Sequence, residues 1–194
     1  MKENSELKAI ARSQLQGSWL DAVIMLLVYC LIIGSSSITA VGPLVIGGPL
    51  MLGLTGYYVK KARGEPVKLE DLFEGFKLFG PSFLLYLLYS IFLMLWTCLF
   101  IVPGIIKGLS YSMSFYILRD NPKIEAMEAI TQSRKMMVGY KGKLFGLYLS
   151  FIGWALLCCL SLGVGFLWLG PYIYMSVTNF YEDLKQNQTA ESTN

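Results

Sequence analysis

The residue in this sequence most able to do chemistry is Lys107. It is the single Lys or Arg, of 16, placed outside the termini and two basic loops. A charge inside an apolar span is costly and raises a functional hypothesis by default. It stands four residues past Pro103-Gly104, about 6 Å of helical rise, which puts its ammonium within snorkelling reach of the outer interface. No Asp or Glu inside the spans can pair with it, because Asp21 is expected at the opposite face. A second basic group, Arg134, Lys135, Lys141 and Lys143, suits anionic lipid headgroups, and serves equally as a solvated face that orients the loop. Asp120-Asn121-Pro122 is a polar stop after an apolar run, and Asn179 can hydrogen-bond between helices near the end of the last span.

Reactive constellations are missing from the pattern. The chain has no His, which removes the commonest general base and metal ligand. Cys30, Cys98, Cys158 and Cys159 lie in apolar runs without CxxC spacing, as small buried hydrophobes do. Ser150 and Ser161 have no base partner, and neither GxSxG, a P-loop nor a dinucleotide fingerprint occurs. The expectation is a protein that is not an enzyme and that holds no cofactor or metal. A net charge of +3 is too small to argue for nucleic acid.

The elements that must position these residues are apolar. Of 194 residues, 55% are hydrophobic and 15% charged, against roughly a quarter charged in a soluble domain. Residues 22–59, 78–106 and 144–181 carry no charge at all. Lipid must solvate runs of that length, so the chain reads as an integral membrane protein. The run from Leu20 to Val59 would rise about 60 Å as one helix, twice the hydrocarbon thickness. Two spans joined near Ser35-Ser36-Ser37 and Gly42-Pro43 fit better, the second opening at Gly47-Gly48-Pro49. Gly80-Pro81 opens a third, Pro103-Gly104 turns into a fourth, and Gly163-Val164-Gly165 separates a fifth from a sixth.

Polar stretches alternate with these spans. Residues 5–16 put Leu7, Ile10, Ala11 and Leu15 at helical spacing, which predicts an interfacial helix rather than a signal peptide. Residues 69–79 set Leu69, Leu72, Phe73, Phe76 and Phe79 against Glu70, Asp71, Glu74 and Lys77. Residues 123–138 form the third such stretch, with Ile124, Met127, Ile130 and Met137 apolar.

The fold class expected is therefore all-α membrane protein: six transmembrane helices as three parallel repeats, each an amphipathic helix plus a helical hairpin. The repeats cover about 5–64, 67–121 and 123–182 of a single domain 1–182, and the polar residues 183–194 form a disordered cytoplasmic tail. Repeats with the same orientation imply an axis along the membrane normal. The basic segments place both termini and residues 60–70 and 120–140 in the cytoplasm.

Several words of the sequence, Pro103-Gly104-Ile105, Tyr111-Ser112-Met113, Asp120-Asn121-Pro122, Ala129 with Ser133, Gly139 with Lys141, LSFIGW at 149–154, Pro171-Tyr172 and Phe180-Tyr181, resemble a family of small bacterial multi-span proteins, domain of unknown function 975. The resemblance implies a bacterial plasma-membrane protein and transfers no catalytic residue. The function expected is a non-enzymatic accessory or scaffold protein in envelope homeostasis, partnered by membrane lipids or another membrane protein. The alternative is a small-solute or lipid transporter or channel with a pathway near the threefold axis.

Overall fold

The computed structural model describes residues 1–39, 41–161 and 163–192. Its elements run α1 (Asn4–Leu15), α2 (Trp19–Ser36), α3 (Gly42–Ala62), a 3-10 helix (Leu69–Leu78), α4 (Phe79–Leu99), α5 (Ile101–Tyr111), α6 (Ser114–Asp120), α7 (Ala126–Met136), α8 (Lys141–Leu149), α9 (Ile152–Leu160) and α10 (Phe166–Ser192).

Each boundary has a local cause. Glu3 and Glu6 close a capping box at the start of α1, and Gly17, at φ +80°, supplies the left-handed turn that ends it. Gly163, at φ +87°, serves the same purpose between α9 and α10. The turn expected at Pro103-Gly104 falls instead at Phe100, an extended residue at φ −160°, ψ 140°. Pro103 sits in the first turn of α5, where its missing N–H has no partner to lose. Likewise α3 begins at Gly42, and Pro49, expected to open it, lies inside the helix.

Among the described residues four stretches are long and apolar enough to cross a membrane: Trp19–Ser36, Leu69–Cys98, Ile101–Asp120 and Lys141–Leu160. Their outward faces carry Leu20, Leu31, Met94, Leu95, Ile105, Leu156 and Leu160, all exposed. Apolar surface on that scale has lipid or protein as its natural solvent. α3 is different. It packs against α2, α4, α6, α10 and the 3-10 helix, and buries Leu50, Leu52, Leu54, Tyr57, Tyr58 and Val59. Shielded by neighbours, it tolerates Gly, Thr and Tyr that a lipid-facing helix would not favour.

The residues expected to form a second surface helix are pressed on α3. A Cβ on Gly53 would stand 1.8 Å from the Leu72 carbonyl oxygen, and one on Gly75 1.9 Å from that of Pro49. Backbone meets backbone there, and only glycine fits. The tight 3-10 winding turns Asp71 and Leu72 inward and leaves Phe73, Phe76 and Phe79 exposed. These rings stack in a ladder continued by Phe83, at centroid spacings of 6.2, 6.5 and 6.0 Å. The phenylalanines of this segment therefore look outward, while Leu72 enters the core and Asp71 and Glu74 turn toward Lys60 and Arg119.

At the chain's end the structure corrects the expected tail. α10 continues to Ser192, with Leu184 fully buried and Asp183 nearly so. Asp183 accepts the backbone N–H of Lys2 at 2.8 Å, so residues after 182 are tied to the N-terminus.

Candidate functional site

The candidate residues fall at three places. The first is a basic pocket of about 300 Å³ lined by Lys107, Ser110, Thr131, Arg134, Lys135, Val138 and Lys141. It exists because α7 packs on the α4–α5 hairpin. The helix breaks between α5 and α6, and the buried Ser133 hydroxyl repairs the break. Ser133 Oγ donates to the Ser110 carbonyl at 2.8 Å and accepts the Met113 N–H at 3.2 Å. That register carries Arg134 and Lys135 to the side of α5 where Lys107 emerges, and Lys141 opens α8 at the pocket's rim.

Sequence reasoning put Lys107 at the outer interface, opposite the basic loops. The structure gathers it with Arg134, Lys135 and Lys141. Its ammonium stands 4.5 Å from the centroid of the Trp96 ring, a cation–π contact that holds the side chain at the pocket wall. None of the four cations has an ion pair among the described residues.

The second place is a charge network that joins the polar end of the fold. Asp120, only 9% exposed at its side chain, accepts two bonds from Arg63 Nη2 at 2.9 and 3.0 Å, the Tyr181 hydroxyl at 2.9 Å, and the Lys185 ammonium. Arg63 also reaches Glu182 at 2.8 Å. Partial burial works against the Arg63 charge, but its hydrogen bonds to Glu182 and Asp120 outweigh this and raise its pKa above the usual arginine value. Beside it, Lys60 binds Asp71 and Glu74, both at 2.9 Å, and Arg119 binds Glu74 at 3.1 Å. α3, the 3-10 helix, α6 and α10 are thus cross-linked by charge. Asn121 ends α6, is exposed, and lines a separate cleft with Lys135, Tyr181 and Lys185.

At the third place Asn179 Nδ2 donates to Gln14 Oε1 at 2.7 Å, and Gln14 Nε2 donates to the Ala62 carbonyl at 3.1 Å. Asn179 thereby joins α10 to α1 and the end of α3. Gly104 closes on Thr97, where a Cβ would come within 2.8 Å of its hydroxyl, whereas Gly142 meets nothing within 4 Å.

Sequence reasoning missed the partners of Asp120, the Ser133 bridge and Trp96 beneath Lys107. One signal was available: every acidic residue of the 3-10 segment lies within fifteen positions of Lys60, at the mouth of the same short loop.

The fold defines an all-helical protein, among the described residues, with several helices able to cross a membrane. It belongs to the family described as Protein of unknown function (DUF975), whose model matches residues 1–107 and 99–188. No curated protein and no solved structure matches the chain.

Proposed function

We propose that this protein is a non-enzymatic accessory or scaffold protein of the bacterial plasma membrane, acting on lipid or protein partners through its polar end. In this reading six helical passes form three units, α1–α3, the 3-10 helix to α6, and α7–α10. Each unit has a polar-side helix followed by two passes, and both termini are cytoplasmic. The element order supports it. So does the bonding of Lys2 to Asp183, Gln14 to Ala62 and Gln188 to Met136, which ties both ends of the chain to each other and to the ends of α3 and α7.

The observation that carries the accessory reading is the filled centre. α3, α6 and α10 face one another, and tyrosines occupy the space between them. Tyr58 stacks on Tyr174 at 5.4 Å, Tyr116 lies 4.9 Å from Tyr181, and the Tyr116 hydroxyl bonds Thr178 at 3.3 Å. A solute pathway near the axis would need the space that these rings occupy, which favours the accessory reading. The test is flux from liposomes of mixed phosphatidylglycerol and phosphatidylethanolamine containing the purified protein. Retention of trapped ions, amino acids and sugars at the rate of empty liposomes is expected. Protein-dependent release of one of them would replace this reading with the transporter.

A further inference from the structure

We propose that the pocket of Lys107, Arg134, Lys135 and Lys141 seats the phosphate headgroup of an anionic phospholipid. The proposal rests on the membrane-embedded reading above and names the partner of that surface. Elsewhere Lys60, Arg63, Arg119 and Lys185 all meet carboxylates. Here cations from α5, α7 and α8 converge on one hollow whose lining contains no Asp or Glu. Like charges held together without a counterion repel, so an anion drawn from outside relieves the site.

The donors suit a phosphodiester. Arg134 offers a planar fork, the lysines offer point charges, and the first free N–H groups of α8 open beside Lys141. Ser110 and Thr131 hydroxyls are already committed to the carbonyls of Ile106 and Met127, at 2.8 and 2.9 Å, so the cations carry recognition. Trp96 keeps Lys107 at the wall. The flank selects a lipid over free phosphate: Ile105, Ile106 and Val138 are exposed next to the pocket, and an occupant with an apolar tail covers them while its headgroup fills the hollow.

The experiment is native mass spectrometry of the full chain in detergent, titrated with phosphatidylglycerol or phosphatidylcholine. A second arm adds inorganic phosphate as competitor. Variants are a pocket triple (Lys107→Gln, Arg134→Gln, Lys141→Gln), a control triple of equal charge (Lys2→Gln, Lys8→Gln, Lys123→Gln), and Lys107→Arg with Lys141→Arg. Each basic residue near a membrane surface adds about fivefold to anionic-lipid affinity, so the pocket triple should lose roughly a hundredfold. The control triple and the arginine variant should retain phosphatidylglycerol, and millimolar phosphate should not displace it. Equal retention by the pocket and control triples would overturn the site. Displacement by phosphate, or phosphate binding without lipid, would overturn the lipid as occupant. If the arginine variant folds and yet loses the lipid, the charge argument fails. A wild type that ignores phosphatidylglycerol while its liposomes stay sealed defeats this inference alone, whereas solute release defeats the accessory reading whatever lipid is bound.

Discussion

Replacing Asp120 with Ala tests the charge network at its most connected point. The carboxylate is 9% exposed and takes bonds from Arg63, Lys185 and Tyr181. A hydrogen bond to a charged group contributes about 1.5–3 kcal/mol, and breaking a well-buried pair costs about 3–5. The partners set the discount: the side chains of Arg63 and Lys185 are 35% and 45% exposed, so both regain water when Asp120 is removed. The net expectation is a loss of about 2–4 kcal/mol. For a chain of this size that lowers Tm by about 5–12 °C, followed by circular dichroism at 222 nm in detergent. Asp120→Asn keeps the volume and an acceptor for Tyr181 and should lose about half as much. Arg63→Ala leaves Asp120 to Lys185 and should cost about 1–2 kcal/mol. The double variant should fall short of the sum by about 1 kcal/mol. Strict additivity, or an Asp120→Ala protein melting within 1 °C of wild type, would refute the reasoning.

The remaining predictions concern packing. Gly53→Ala and Gly75→Ala each drive a methyl into a backbone carbonyl and should cost about 3 kcal/mol or more in melting experiments, while Gly142→Ala, with open space around it, should be neutral or slightly stabilising. Ser133→Ala strips the buried Met113 N–H of its partner and should cost about 1–3 kcal/mol, with faster amide exchange at residues 111–114. Truncation after residue 182 removes the buried Leu184 and the Lys185 contact to Asp120, and should lower Tm by about 5 °C or more. A disordered tail would leave it unchanged.

Much of the helical plan is legible in the sequence because lipid exposure imposes long charge-free runs. The ends of α2 at Ser36 and of α10's preceding turn at Gly163 were marked by small residues whose purpose is local. What composition hides is which apolar face meets lipid and which meets protein. Phe73 and Phe76 share the apolar face that the spacing gives a surface helix and are exposed; what the spacing does not encode is that Gly53 and Gly75 let the backbone itself take the core side. Residues 183–192 look disordered from polarity alone, and are ordered by Asp183 and Lys185 reaching partners far away in sequence. The basic pocket was half legible. Arg134 and Lys141 are close in sequence, but Lys107 joins them through the Ser110–Ser133 bridge, a pairing that no local pattern encodes.

In the proposed topology both termini and the loops after α3 and α6 lie on one side of the membrane. Single cysteines at positions 3, 65, 123 and 187, in a chain with Cys30, Cys98, Cys158 and Cys159 replaced by Ala, test it with a membrane-impermeant maleimide. All four should be shielded in intact cells and labelled in inverted vesicles. Labelling of any one of them from the outside of intact cells would contradict the account.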